Sequence, residues 1–327
     1  MAKKVLRMML LVFLFPTLSP LCGITWAAEF PTRSIELIIP YAPGGPSDIM
    51  GRSLTPKLGE VLGQPVIPIN KPGASGALGM TLLAKGKPDG YTILIASTSN
   101  IIVAPNFEKV GYDVLKDFTF VCKLYNQPNT MIVVRPDAPW KNMEELLDDA
   151  RENPKKIKYG TPGQFSGGHI AMEAIGKEKS IDWVHIPFKG DGPSSTALLG
   201  GHIDCAIIFA AHIPYIKSGR LRSLVTVMSR RSPNFPEIPC LKDVGIKFEG
   251  KGSSEAISGI MAPKGLPDDI LKKHEGALKE ALKSEEFLRA CRNLLLDPDF
   301  RLGDDFRKEV EDSYNYIGEL GKKLGFK

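Results

Sequence analysis

The sequence predicts an α/β protein, on three observations. Short apolar, β-branched runs alternate with helical periods, the order strand, glycine loop, helix occurs twice near the start, and the whole pattern begins again at Met131.

The chain opens with a leader. Lys3, Lys4 and Arg7 precede an apolar run from Met8 to Phe15 that is far too short to span a bilayer, and small residues follow at Thr25, Ala27 and Ala28. This reads as a signal peptide, residues 1–27, cleaved near Ala27. Cys22 is preceded by Ser19, Pro20 and Leu21, and Leu21 stands where lipid attachment wants a small residue. Of 42 basic residues three lie in the leader, so the mature chain keeps 39 against 37 acidic ones, a net charge of +2. Net charge therefore gives no case for a nucleic-acid surface. The roughly 300 remaining residues suffice for one large or two medium domains. Cys122, Cys205, Cys240 and Cys291 match neither a zinc site nor a thiol-exchange motif; export permits one disulfide, and spacing does not choose the pair.

The first strand is expected over Ile35 to Pro40. After it comes Tyr41-Ala42-Pro43-Gly44-Gly45-Pro46-Ser47-Asp48, and then Ile49, Met50, Leu54, Leu58, Val61 and Leu62 recur at helical spacing, with Pro56 marking a lost hydrogen bond or a kink. Ser47 or Asp48 is the expected helix cap. A second strand, Val66 to Asn70, runs into the glycines at 73, 76 and 79 and a helix to about Lys85. Pro88-Asp89-Gly90 announces the strand Tyr91 to Ala96, which ends in Ser97-Thr98-Ser99-Asn100. From Met131 to Val134 the pattern restarts, with a helix from about Asn142 to Glu152, a strand near Ile157 to Tyr159, the loop Gly160 to His169 and a helix from Ile170 to Gly176. Val184 to Pro187, a helix to Leu199, and strands at Cys205 to Phe209 and Leu221 to Met228 follow. Crossings between two lobes are expected near Leu124 to Thr130 and Gly245 to Ser258. Pro267 to Gly325 reads mostly as charged helix packed back on the first lobe.

Two loops invite an anion, because the first amides of a helix lack intrahelical partners and its dipole favours negative charge. One holds Gly44 and Gly45; the other, Gly160 to His169, has four glycines with Thr161 and Ser166. A purely structural turn has the same features. Amides and hydroxyls bind a carboxylate without an arginine, and neither loop contains one. The G-x-x-G-x-x-G at 73–79 is not the dinucleotide fingerprint, and no P-loop is present. His169, His185, His202 and His212 with Ser166 and Asp204 lack the G-x-S-x-G or H-E-x-x-H context of a hydrolase. Paired acids such as Asp148 and Asp149, or Asp304 and Asp305, sit in charged helical surroundings that suit a solvated face. No cofactor, metal or catalysis is expected.

Pro40-Tyr41-Ala42-Pro43-Gly44-Gly45-Pro46-Ser47-Asp48 strongly resembles the first ligand loop of the substrate-binding proteins of tripartite tricarboxylate transporters, the Bug family. Gly63-Gln64-Pro65-Val66, Asn70-Lys71-Pro72-Gly73-Ala74-Ser75-Gly76, Pro88-Asp89-Gly90-Tyr91-Thr92, Lys116-Asp117-Phe118, Tyr159-Gly160-Thr161-Pro162-Gly163, Phe188-Lys189-Gly190 and Leu199-Gly200-Gly201-His202-Ile203-Asp204 look like its other landmarks, in order, over nearly the whole mature chain. The resemblance implies a two-lobe periplasmic-binding-protein fold (Venus-flytrap, type II), with lobes at 29–126 plus 252–327 and at 127–251. It implies a monomer that captures a small carboxylate in the periplasm for membrane permease subunits; an exported hydrolase or a ligand sensor is the alternative. Carried onto matching positions, it nominates Tyr41, Gly44, Gly45, Ser47 and Asp48 on one side and Thr161, Phe165, Ser166, Gly167 and His169 on the other, with Ser97, Ser99, Lys189 and Asp204 at the cleft border. The second loop departs from the family in carrying Phe165, expected as an aromatic wall. Ser258 stands where relatives carry an aromatic residue.

Overall fold

The computed structural model describes residues 29–127, 130–188, 190–209, 213–232, 234–248 and 256–326. The residues expected as a leader and its cleavage site lie outside the described residues, as do Lys189 and His212. The strands form two sheets. The six-stranded sheet has the order β11-β4-β10-β3-β1-β2, from β1 (Ile35–Ile39), β2 (Val66–Asn70), β3 (Thr92–Ser97), β4 (Phe118–Gln127), β10 (Ala256–Pro263) and β11 (Asp297–Leu302). β1 runs parallel to β2 and β3, in register Ile35↔Val66 and Glu36↔Thr92, while β10 is antiparallel to both β3 and β4. The five-stranded sheet, β7-β6-β8-β5-β9, uses β5 (Met131–Val134), β6 (Lys158–Thr161), β7 (Val184–Pro187), β8 (Cys205–Ile208) and β9 (Arg222–Thr226). Here β6 is parallel to β7 and β8, and β5 is antiparallel to β8 and β9.

Alternation along each strand builds a core on both faces. Leu37 and Ile39 join Met50, Leu54 and Leu58 of α1 (Pro46–Leu62), with α8 (Asp268–Ala281) and α9 (Glu285–Leu294) beside them; Ile38 points the other way, to Met80 and Leu83 of α2 (Ala77–Ala84) and to α10 (Gly303–Leu324). Each of the three buried α1 side chains contributes about 1.5–3 kcal/mol. In the second sheet Ile132 and Val134 face α4 (Met143–Glu152) and α5 (Gly167–Lys179), while Met131 and Val133 face α6 (Asp191–Leu199) and α7 (Ile213–Lys217).

Helix α1 runs unbroken through Pro56. The carbonyl that Pro56 leaves without its amide donor is that of Arg52, and the Thr55 hydroxyl donates to it at 3.1 Å. Residues expected at the lobe crossings are partly strand: β4 continues to Gln127 and β10 starts at Ala256, both interior in their sheet, and after β9 the described chain stays on the second sheet's core as far as Phe248. The charged tail expected as helix contains β11, which closes that sheet's edge against β4. Lys123 of β4 explains the attachment. It is 1% exposed and holds Asp299 of β11 at 2.9 Å and Glu309 of α10 at 2.6 Å, so a buried charge is matched by two carboxylates. All four described cysteines are free and buried. Among the described residues no helix is long and apolar enough to cross a membrane.

Candidate functional site

The two glycine loops each follow the carboxyl end of a parallel strand, where open α/β sheets place ligands. In the first, Gly45 takes the N-cap position with an extended backbone and Pro46 is the first helical residue, so neither Ser47 nor Asp48 is the cap. The amides of Asp48 and Ile49 both donate to Gly45 O at 3.0 Å. Asp48 reaches back instead: its carboxylate accepts from the Gly44 amide at 2.9 Å, from Arg52 Nε at 2.9 Å and from Asn70 Nδ2 at 2.8 Å. Burial alone would raise its pKa, but those three donors and the Arg52 charge together hold it below the usual carboxylate range. Asp48 is 4% exposed; it sets the loop's shape and does not face a ligand as a free carboxylate. The amides of Gly45 and Ser47 find no acceptor among the described residues.

Tyr41 carries the loop to the next strand. Its hydroxyl sits 2.6 Å from Ser97 Oγ, accepts from Asn100 Nδ2 at 3.2 Å, donates to Ser75 O at 3.2 Å and also meets Ser99. Enclosure raises its pKa against these hydrogen bonds, so the phenol stays neutral. Tyr41, Ser97 and Ser99, nominated separately, are in physical contact. Asn100, which is 0% exposed, is a site neighbour that the sequence reading passed over; its Oδ1 accepts from the Ser97 amide at 3.0 Å. Ser258, singled out as a departure from the family, is buried and donates to Ala96 O at 2.6 Å.

In the second loop Ser166 is the N-cap of α5, its Oγ accepting from the His169 amide at 3.3 Å. The amides of Gly167 and Gly168 find no acceptor among the described residues. Thr161 is fully buried, donates to Gly163 O at 2.9 Å and lies 2.7 Å from His185 Nε2. His169 accepts from the Phe165 amide at Nδ1, 3.1 Å, which places its proton on Nε2. Its ring stacks on His185 at 3.9 Å and on Phe326 at 5.1 Å. Burial pushes His169 down to about 3, aided by repulsion from His185, and burial alone pushes His185 down to about 4. Both rings are neutral at pH 7. Among the described residues Ser166 Oγ meets an amide and no ring nitrogen, so no serine–histidine nucleophile pair forms among them.

Phe165, expected as an aromatic wall, is half-buried among other rings. It adopts φ 53, the left-handed region, and its ring stacks on Phe107 of α3 (Ala104–Phe107) at 5.4 Å and edges Phe326 at 5.5 Å. The ring belongs to an aromatic cluster joining the two sheets' helices, because Tyr316 and Leu320 of α10 pack on the cores of both. Asp204 corrects one expectation. Its carboxylate accepts from the Lys158 amide at 2.8 Å at the start of β6, about 10 Å along the strand from Thr161. It lies at the opposite edge of the sheet from the loop. Lys189 lies outside the described residues.

Among the described residues no hydrogen bond or ring contact joins the two loops directly. They are linked through one segment: Ser97 touches Tyr41, and Phe107, ten residues on, touches Phe165. The open groove of about 530 Å³ at Arg301, Asp305, Lys308, Glu309 and Asp312 is elsewhere; Asp312 stands about 18 Å along α10 from Leu324, near the Phe326 contact.

The sequence profile described as Tripartite tricarboxylate transporter family receptor matches residues 50–326. The UPF0065 protein in gbd 5'region of Cupriavidus necator is 33% identical over 299 residues, covering 91% of this chain and 90% of its own. Among solved structures, R. palustris Rpa4515 with adipate superposes with a TM-score of 0.79 at 25% identity, over 90% of this chain and 98% of that one. MatC from Rhodopseudomonas palustris with bound malate gives 0.75 at 26% identity, over 89% and 99%. With a profile match over most of its length and such a relative along nearly all of it, the chain belongs to the tripartite tricarboxylate transporter receptor family.

Proposed function

We propose that this protein is a periplasmic receptor that captures a small carboxylate between two lobes and delivers it to the permease subunits of a tripartite tricarboxylate transporter. The observation that carries the reading is the pair of acceptor-less amides at each of two helix starts, Gly45 and Ser47 on α1 and Gly167 and Gly168 on α5. Such amides, at the positive ends of helix dipoles, bind an anion without a counter-cation. Two solved relatives with adipate and malate support the ligand class.

The lobes are residues 29–126 with 252–327, and 127–251, each built on one sheet. Tyr41, Gly44, Gly45 and Ser47 grip from the first, Thr161, Ser166 and Gly167 from the second; Ser97 and Ser99 orient Tyr41, while Asp48 and His169 hold the loop shapes. Closure selects a bound form that the permease reads, with the ligand released intact and no cofactor consumed. The chain acts as a monomer, exported by residues 1–27. The test is a thermal-shift panel of mono-, di- and tricarboxylates, with mass spectrometry of small molecules that co-purify. A ligand present at 100 times its Kd adds about 2.7 kcal/mol of stability. Recovery of that ligand unchanged supports capture; conversion to a product, abolished by Ser166→Ala, contradicts it.

A further inference from the structure

Beside the second loop lies an acid that neither the loop motifs nor the family resemblance singled out. Asp191 opens α6, at the same carboxyl edge of the sheet: the amide of Gly190 just before it donates to Pro162 O at 2.9 Å, and that of Phe188 to Thr161 O at 3.0 Å. Its carboxyl accepts one hydrogen bond, from the Phe209 amide just past β8. The other oxygen, Oδ1, is buried and has no partner among the described residues. Burial raises the group to about 6 against that single hydrogen bond, and no cation pairs with it among the described residues.

A second orphan lies one helical turn on. Ser194 is 0% exposed and its hydroxyl also lacks a partner among the described residues. Positions three apart share one helix face, and this face covers β6 and β8. Glycine at 160 leaves bare backbone beneath Ser194; a Cβ there would come within 2.7 Å of its Oγ. Buried polar groups are almost always satisfied, so two neighbouring exceptions ask for a missing group. Its chemistry is constrained. A carboxylate oxygen needs a donor, and a hydroxyl with its own proton to place needs an acceptor. An ammonium cannot accept and a second carboxylate cannot donate, whereas one hydroxyl does both.

We propose that Asp191 and Ser194 form a specificity subsite that takes the hydroxyl of a hydroxylated carboxylate whose acid group is held at the Gly167–Gly168 amides. This rests on the carboxylate-capture reading above. A site built to bond a hydroxyl discriminates strongly against the analogue that lacks it, because its own buried groups are then left unpaired.

The experiment is calorimetric titration of the full-length mature protein with matched pairs of differing length: lactate and propionate, malate and succinate, 2-hydroxyglutarate and glutarate, citrate and tricarballylate. At least one hydroxylated member is expected to bind tenfold or more tightly than its deoxy partner. Asp191→Asn, which keeps an acceptor for Phe209, and Ser194→Ala should each reduce that ratio to within about threefold. The readout is a ratio of two ligands on one protein, so a partly unfolded variant still reports it. Equal affinity within every pair, or a wild-type preference that both variants retain, overturns the subsite and points to a resident water; the capture reading then stands. If no carboxylate binds, the capture reading fails first and takes the subsite with it.

Discussion

The loops after β1 and β6 present the same feature, two unpaired amides at a helix start, and hold it with different chemistry. The first is fastened by charge: Asp48 draws the Gly44 amide, Arg52 and Asn70 onto one buried carboxylate, and Arg52 NH2 closes the ring by donating to Asn70 Oδ1 at 2.8 Å. The second is fastened by neutral rings, Tyr159, His185, His169 and Phe326 stacked in sequence, with Phe165 turned into the same cluster. Anchoring residues need only be preorganised, and a carboxylate network or an aromatic stack achieves it equally. The difference matters for coupling. The charged loop is fixed within its own sheet's elements, whereas the aromatic one leans on Phe107 and Phe326 from elements of the other sheet, so only the second loop reports the relative placement of the sheets.

Removing the charge should do most. Asp48→Ala leaves three donors unpaired and is expected to cost about 2–3 kcal/mol, discounted because Arg52 is 47% exposed. Denaturant unfolding measures it, and carboxylate affinity should fall tenfold or more. A loss under about 0.5 kcal/mol would mean that the network does not shape the loop. Phe326→Ala removes three ring contacts and should cost about 1–3 kcal/mol. Because it spans the two sheets, this change should also alter small-angle scattering of the free protein, which Asp48→Ala should not.

Acid separates the loops by pH window, since both lose stability as pH falls. Folding lowers the pKa of His169 and His185 from 6.5 to about 3 and about 4, so their contribution is complete above 6.5 and is lost as pH falls toward those values. His185 stacks on Tyr159, whose hydroxyl donates to Glu173, so that carboxylate is already engaged. Asp48 is shifted below its ordinary 3.8, so its contribution persists until the pH drops beneath that value. Hydrogen exchange at pH 5 should find Phe165 and His169 amides less protected than at pH 7 while Gly44 is unchanged. The reverse order would contradict the assignment of chemistries. The smallest effect is salt: 1 M NaCl should weaken the Arg52 contact by about 0.5 kcal/mol and leave the aromatic loop untouched.

Much of the fold was legible because period-two apolar runs and glycine loops are local signals. Leu37, Ile38 and Ile39 face alternate cores as their spacing demands, and β7 lies where its apolar run does. β11 was not legible, since Asp297-Pro298-Asp299-Phe300-Arg301-Leu302 reads as charged tail; it becomes a strand through the long-range match of Asp299 to the buried Lys123, 176 residues away in sequence. In the site, Tyr41, Ser97 and Ser99 were each nominated by motif, but their contact was not legible. Nor was the inward turn of Phe165, because Phe107 and Phe326, which receive it, carry no signal in their neighbourhoods. Asp204 was misplaced for a related reason: it neighbours β8 in sequence but at that strand's first end, and only topology tells the two ends apart. Asp191 drew no notice, since a lone acid at a helix start looks like an ordinary dipole partner.

The account rests on four backbone amides. A ¹⁵N–¹H titration of the mature protein with the tightest-binding carboxylate from the panel tests them directly. Gly45, Ser47, Gly167 and Gly168 should all shift downfield and saturate together with the calorimetric Kd; saturating binding that leaves these four resonances in place would contradict it.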